Sequence, residues 1–140
     1  MRPRFPMPMP ARVLVALGAV SAVEHAVAWA CSCVQITDVV ETAAQYAQVF
    51  VGEVKHAGVG GCDGRARTRF EVVEAFKGVE EGETVKVEHA VDGAACGLLF
   101  DDGEQYLVFA SRGETNLCAP GGQVQDVQDW IDDLRAAPVD

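Results

Sequence analysis

The chain has 140 residues, of which 49% are hydrophobic, and it carries a formal net charge of −10 at pH 7. This length provides one small domain with a single hydrophobic core. A surface this acidic repels nucleic acid and anionic membranes, and the sequence contains no cluster of basic residues to offset the repulsion. We therefore expect neither nucleic acid nor an anionic membrane as a partner.

The first 30 residues predict a signal peptide. Three arginines within the first 12 residues form a positive n-region. The apolar run 13–23 is too short for a transmembrane helix, which needs ~20 residues. Ala28 and Ala30 supply the small side chains that signal peptidase recognises before its cleavage site. We therefore expect export, and a mature domain 31–140 that begins with the free α-amine of Cys31.

A lipoprotein is the alternative interpretation, because an apolar segment that ends in a small residue before cysteine is also a lipidation signal. Ala28 stands where leucine is usual and Trp29 is bulky for such a signal, which favours ordinary cleavage. Lipidation would acylate the amine of Cys31 and attach the protein to a membrane. We expect a secreted protein, with a periplasmic or lipid-anchored location in the cell envelope as the alternative.

All 5 cysteines follow residue 30, and in an exported chain they predict a disulfide framework. Cys62 lies in the glycine-rich segment 58–64, which reads as a loop, so it is the one we expect to be free. The other four lie beside predicted strand ends and should form two bridges, with three pairings open: Cys31, Cys33, Cys96 and Cys118. Residues 31–140 hold 8 Lys+Arg and 20 Asp+Glu, a net charge of −12.

The first half of this domain predicts a short helix and two strands. The helix covers 37–46, where Thr37 is a good N-cap residue and apolar side chains follow helical spacing. A strand follows over 47–57, in which Gly52 indicates a bulge or a close backbone approach. The next strand, 65–76, alternates apolar and charged side chains and should be buried on one face.

The second half predicts three more strands and an amphipathic helix. The strands cover 84–91, 95–100 and 105–110, and the last of these should be central in the sheet. The helix covers about 123–136, with apolar residues at helical spacing and an aromatic residue beside them: Val124, Val127, Ile131, Leu134 and Trp130. Five strands with frequent turns and one helix at each end favour a small closed barrel over a sandwich, which would usually have more strands.

Several short motifs, taken in order, resemble one known family. They are Cys31-Ser32-Cys33 at a mature N-terminus, Phe76-Lys77-Gly78, Ala95-Cys96-Gly97, Gly103 to Leu107, and Leu117-Cys118. This order is similar to that of the N-terminal inhibitory domain of the tissue inhibitors of metalloproteinases, and the resemblance covers about residues 31–120. That domain is a netrin-like module, so the resemblance implies an OB-type five-stranded closed barrel.

The resemblance also implies residue roles. It pairs Cys31 with Cys96 and Cys33 with Cys118, and it makes the amine and carbonyl of Cys31 the ligands of a target peptidase's catalytic zinc. Ser32 would point into the specificity pocket beyond the zinc. The remaining contacts would come from Val34 and Gln35 along the cleft and from Ala94 and Ala95 beside them. The only metal involved would be the target's zinc, and the protein would hold no cofactor of its own.

No enzyme active site is evident in the sequence. Ser32 has no His/Asp relay in its neighbourhood, and we expect His56 and His89 at surface positions of strands. The function that we expect is a monomeric, secreted inhibitor of zinc metallopeptidases. The alternative is a netrin-like protein-interaction module without inhibitory activity, which could also be lipid-anchored through Cys31.

Overall fold

The computed structural model describes residues 31–92, 96–137 and 139, so the predicted signal peptide lies outside the described residues. Helix α1 covers Val39–Ala43 and helix α2 covers Gln128–Ala136, preceded by a 3-10 turn at Val124–Asp126. The strands are β1 (Gln48–His56), β2 (Arg65–Lys77), β3 (Thr84–Ala90), β4 (Gln105–Ala110) and β5 (Gly121–Gln123). The fold is therefore mainly β with two helices, as the sequence predicts.

All five strands belong to one antiparallel sheet with the order β3-β2-β1-β4-β5. Within the described residues β3 and β5 are the outer strands and do not pair with each other. A single bridge connects the outer edge of β3 to the turn after β4, through the hydrogen bonds Glu88 N to Gly113 O (2.8 Å) and Thr115 N to Glu88 O (3.0 Å). A five-stranded antiparallel sheet is thus confirmed, whereas its closure into a barrel is not.

The two central strands, β1 and β4, are buried on both faces. Their sequences contain the continuous apolar runs 49–51 and 106–110, which is the pattern of a strand covered on two sides. On one face their side chains pack with those of β2 and β3 around Phe50 and Phe70. On the other face Val49 and Phe109 pack against both helices.

Strand β2 shows the alternation that the sequence predicts, with Thr68, Phe70 and Val72 buried and the residues between them exposed. The irregularity expected at Gly52 is also present, as a register shift between Val51 and Gly52. A Cβ atom at Gly52 would lie 2.8 Å from the Phe50 ring in the same strand and 3.0 Å from Phe70 Cβ in β2, so the packing of these two aromatic side chains favours glycine there.

Both helices cover the same side of β1 and β4. Helix α1 begins after Asp38, whose side chain accepts a hydrogen bond from Glu41 N (2.9 Å), so the N-cap is one residue later than predicted. Helix α2 buries Ile131 and Leu134 in the core, and Trp130 packs at the edge of this contact. The single helix predicted for 123–136 is thus a 3-10 turn followed by a nine-residue α-helix.

A bidentate ion pair fixes α2 against the sheet. Arg135 donates to both carboxylate oxygens of Glu74 in β2 at 2.8 Å, and it also contacts Asp132 at 2.9 Å. These hydrogen bonds raise the pKa of the Arg135 guanidinium, although the contact is open to solvent. The burial of Ile131 and Leu134 therefore supplies most of the docking energy.

One predicted strand is absent from the described residues, and one observed strand was not predicted. The described residues of 95–100 form no strand, because Cys96 adopts a left-handed backbone (φ 55°) and the chain then runs irregularly to Phe100. The Phe100 ring packs edge-on against Phe70 (5.1 Å) and Tyr106 (5.0 Å), so it fills the core without belonging to the sheet. The fifth strand is instead Gly121–Gln123, which has no apolar pattern to reveal it.

His89 is buried (1% exposed), not on the surface as predicted. Its Nε2 lies 2.7 Å from Thr68 Oγ1, which also accepts a hydrogen bond from Gly58 N (3.1 Å), and its Nδ1 lies 3.3 Å from Ala90 O. The Thr68 hydroxyl therefore links the Gly58 amide, in the loop after β1, to the buried ring of His89 in β3.

We expect Thr68→Val to destabilise the protein by about 1–3 kcal/mol, because it leaves the Gly58 amide and His89 Nε2 buried without partners. Thr84→Val is the matched control, since Thr84 is exposed at the start of β3, and should change the free energy of unfolding by less than about 0.5 kcal/mol. Chemical denaturation measures both values. Equal stabilities of the two variants would contradict the hydrogen-bond assignment.

We expect Ile131→Ala to lower the free energy of unfolding by about 2–5 kcal/mol, because its side chain is fully buried between α2 and the sheet. Asp133→Ala, at an exposed position of the same helix, should stay within about 0.5 kcal/mol of the parent. Thermal or urea unfolding tests both. If Ile131→Ala were as stable as the parent, α2 would not be docked in solution.

Candidate functional site

The segment 31–36 has no regular secondary structure, and two disulfides hold it in place. Cys31 is bonded to Cys96 with a Cα–Cα distance of 5.7 Å, and Cys33 is bonded to Cys118 with a Cα–Cα distance of 5.0 Å. Of the three pairings that the sequence leaves open, the structure contains the one that the family resemblance implies. We call residues 31–35 the N-terminal edge.

The loop that carries Cys96 is fixed by backbone contacts to the end of β3. Gly97 N donates to Asp92 O (2.9 Å) and Leu98 N donates to Ala90 O (2.8 Å). A Cβ atom at Gly97 would lie 2.5 Å from the Val91 carbonyl carbon, so only glycine allows this approach. The glycine after Cys96 therefore holds the first disulfide close to the sheet.

The loop that carries Cys118 is shaped by one side chain. Asn116 Oδ1 accepts hydrogen bonds from Cys118 N (2.9 Å) and Ala119 N (3.0 Å), which is the usual way for asparagine to fix a tight turn. Leu117 N also donates to Cys96 O (3.4 Å), so the two disulfide loops contact each other directly. The N-terminal edge is thus attached to a single connected support.

The outer side of the N-terminal edge is exposed. Ser32, Val34 and Gln35 all face solvent, and Val34 is 87% exposed. The next residue, Ile36, packs into the core beside the two helices. The segment is therefore anchored through both disulfides and through Ile36, while the side chains between these anchors remain available for contact.

Some of the exposed apolar side chains lie in this edge or in the disulfide loops that support it. The described residues contain five large hydrophobic side chains that are strongly exposed: Val34, Val59, Val73, Leu99 and Leu117. Val34 and Leu117 each lie next to a cysteine of the Cys33–Cys118 bridge, and Leu99 follows the Cys96 loop. Leu99 and Leu117 also line one cavity of about 250 Å³. Such a concentration of exposed apolar surface is typical of a protein-binding surface.

Sequence reasoning identified the N-terminal edge but missed Leu99 and Leu117. Leu99 follows Cys96 by three positions and Leu117 directly precedes Cys118, and both lie in segments without strand or helix periodicity. An apolar residue beside a disulfide cysteine in such a segment was the available signal of an exposed contact. Ala94 and Ala95, predicted to contact the target, lie outside the described residues. Cys62 is an exposed free cysteine.

The described part of the chain does not bring three potential metal ligands together among its His, Cys, Asp and Glu side chains. His56 is exposed at the end of β1, and His89 is engaged in the buried network described above. What these residues offer chemically is therefore mainly main chain, including the carbonyl of Cys31.

Comparison with protein-family models and with curated proteins found no match to this chain. Among the residues that the structure describes, no helix combines the length and the apolar character needed to cross a membrane.

We expect iodoacetamide to modify Cys62 without prior reduction, because its side chain is exposed and unbonded, and to modify the other four cysteines only after reduction. Peptide mapping by mass spectrometry distinguishes the two classes. In the Cys62→Ser control the unreduced protein should take up no label. Any bridge between Cys62 and another cysteine of the same chain would contradict the pairing.

Proposed function

We propose that the chain is a secreted inhibitor of zinc metallopeptidases, similar in action to the tissue inhibitors of metalloproteinases. In this proposal the signal peptide 1–30 is removed, and the amine and carbonyl of Cys31 chelate the target's catalytic zinc. The observation that carries the proposal is the N-terminal edge itself, where two disulfides fix residues 31–33 while Ser32, Val34 and Gln35 stay exposed.

The chelate is chemically reasonable at neutral pH. A catalytic zinc keeps one coordination position open for water or substrate, and an incoming ligand can occupy it. An α-amine has a pKa of about 7.7–8, so a metal competes effectively with the proton for its lone pair. Amine and carbonyl of one residue close a five-membered ring around the ion. The sulfur of Cys31 is bonded to Cys96 and is therefore not the ligand.

Preorganisation supports tight binding by this edge. The bridges join residues 65 and 85 positions apart, and in the chain-entropy model each could stabilise the fold by roughly 4 kcal/mol. Because the edge is already ordered, less conformational entropy is lost when it enters a cleft. A flexible N-terminus with the same ligands would lose more free energy on ordering.

The surroundings of the edge fit a protein target. Ser32 is small enough to enter a specificity pocket beside the zinc, and Val34 and Gln35 would continue along the cleft. Leu99 and Leu117 would add apolar contact beside the edge, which is the kind of contact found in the buried centre of protein interfaces. In this proposal Ala94 and Ala95 contribute as well, next to Cys96.

The proposal includes the fold class. The five-stranded sheet and the bridge from Glu88 to the turn after β4 support an OB-type, netrin-like barrel over residues 31–140. In this barrel the turn after β4 would close the sheet against the outer edge of β3. The protein would act as a monomer, with no catalytic residue and no cofactor of its own.

The second candidate function is a netrin-like interaction module that binds a protein without touching zinc. The exposed apolar side chains Leu99 and Leu117 favour it, because they would contact a partner whether or not Cys31 has a free amine. Lipidation at Cys31 would allow only this second function, since acylation removes the amine's lone pair from metal binding.

We expect a mature protein extended by one alanine before Cys31 to lose at least about a hundredfold in affinity for its target peptidase. The extension displaces the amine from the zinc and crowds the cleft, which together should cost several kcal/mol. Ser32→Gly is the comparison variant and should weaken binding less, because it changes only pocket filling. Inhibition constants against a panel of zinc metallopeptidases measure both.

Two results would contradict this mechanism. The first is an extended protein that inhibits as strongly as the native one, which would favour the interaction module. The second is an intact mass showing an acylated Cys31 in the natively secreted protein. Unchanged thermal unfolding of the extended protein is the control that its fold and disulfides are intact.

A further inference from the structure

The outer edge of β3 carries backbone groups that no other strand uses. Glu88 directs its N–H and C=O outward, since they bond to Gly113 and Thr115. Alternate residues of an antiparallel strand direct these groups to the same side, so those of Thr84 and Lys86 also point away from β2. Within the described residues, neither Thr84 nor Lys86 has a backbone partner on that side.

A groove runs along this open edge. It has a volume of about 540 Å³, and its lining includes Thr84 and Lys86 of β3, Arg112 and Gly113 of the turn, and residues 47, 48 and 78 at the start of β1 and after β2. The turn is closed by two hydrogen bonds of 3.0 Å between Ser111 and Glu114, with Arg112 in a left-handed conformation (φ 56°). The bond from Glu88 N to Gly113 O ends the groove, so its width is fixed by the fold.

Two exposed cations, Lys86 and Arg112, line the groove, and a third lies opposite Lys86 on β2. Arg69 lies directly opposite Lys86 in the β2–β3 register, and Arg112 lies across the groove. Within the described residues none of the three forms an ion pair, and all three are exposed. Like charges directly opposite each other on a sheet are unfavourable, so an incoming anion would relieve the repulsion between Arg69 and Lys86.

The neighbouring cations are neutralised. Arg65 and Arg67 both donate to Glu88, and these hydrogen bonds lower the pKa of the Glu88 carboxyl. Lys55 lies between Glu53 (2.7 Å) and Glu71 (3.6 Å). Among the described residues, the one carboxylate that lines the groove is that of Glu83, which accepts a hydrogen bond from Glu80 N (3.0 Å). Positive charge without compensation is therefore concentrated at this edge of an otherwise acidic domain.

We propose that the Thr84–Lys86 edge of β3 binds an extended acidic peptide segment of another protein by strand addition, with Lys86 and Arg112 contacting its carboxylates. Free backbone donors and acceptors recognise a peptide main chain, whereas a sulfated polysaccharide would use the cations alone. A second copy of this chain is a poor occupant, because antiparallel pairing of two β3 edges would bring their Lys86 side chains together. No residue of the N-terminal edge lines this groove, so the proposal does not depend on zinc inhibition.

The test uses the mature protein and a short capped peptide of alternating Glu and Val, with the Lys–Val peptide as its counterpart. Titration followed by amide chemical shifts should show binding of the acidic peptide, with the largest changes at Thr84, Lys86 and Gly113. The basic peptide should bind at least about tenfold more weakly. Equal binding of both peptides, or shifts confined to another surface, would overturn the proposal.

Two variants distinguish the contribution of backbone hydrogen bonds to peptide binding from the contribution of the positive charges. Thr84→Pro removes an outward N–H at the first residue of an edge strand, where proline is tolerated, and should weaken acidic-peptide binding by about tenfold or more. The double variant Lys86→Gln, Arg112→Gln should also weaken acidic-peptide binding by about tenfold or more, because it removes two positive charges. Thr37→Glu with Gln45→Glu is the control, because it changes the net charge equally at exposed positions elsewhere and should leave binding within about twofold.

Each outcome decides the proposal. If Thr84→Pro binds the acidic peptide as the parent does, strand addition is wrong and the edge is a charge-only surface. The same conclusion would follow if dextran sulfate displaced the acidic peptide and bound the Thr84→Pro variant as tightly as the parent. If the glutamine pair binds like the control pair, the cations play no part. A concentration-dependent dimer that Thr84→Pro abolishes would identify the second copy as the occupant.

Discussion

The antiparallel pairing of β1 with β4 is the constraint on which the rest of the structure depends. Six consecutive residue pairs, from Gln48–Ala110 to Glu53–Gln105, place the apolar runs of the two strands side by side. Both faces of this pair are covered, one by β2 and β3 and the other by the two helices. Because side chains alternate along a strand, slipping this register by one residue would exchange the two cores.

The geometry of the N-terminal edge follows from this core. The Cys96 loop leaves the end of β3, and the Cys118 loop leaves the turn after β4, so the sheet determines how far apart these two cysteines lie. Cys31 and Cys33 are only two positions apart in the chain, and each reaches one of these loops. A change that loosens the sheet would therefore also move the exposed segment between the bridges.

Much of the sheet could be predicted from the sequence, because β1 to β4 carry either continuous or alternating apolar patterns. Gln105–Ala110 was predicted residue for residue. The failures have physical causes: β5 is a Gly-Gly-Gln segment with no pattern, and 95–100 contributes Phe100 to the core without joining the ladder. Burial of His89 was not predicted, because the partner that satisfies it, Thr68, is 21 positions away. Likewise the open edge at Thr84 depends on strand order, which no local pattern contains.

The two proposed surfaces differ in what they require of the chain. Zinc chelation needs an unblocked amine at Cys31, so it exists only after cleavage at Ala30 and is lost by any extension or acylation. The edge of β3 needs only the folded sheet and the turn at Arg112, both of which are independent of processing. A precursor that folded before cleavage would therefore already present the β3 edge, whereas the zinc-binding ligands would appear only with the new N-terminus. If the proposed cleavage occurs, it would create one surface chemically and leave the other unchanged, which is why the two proposals can succeed or fail separately.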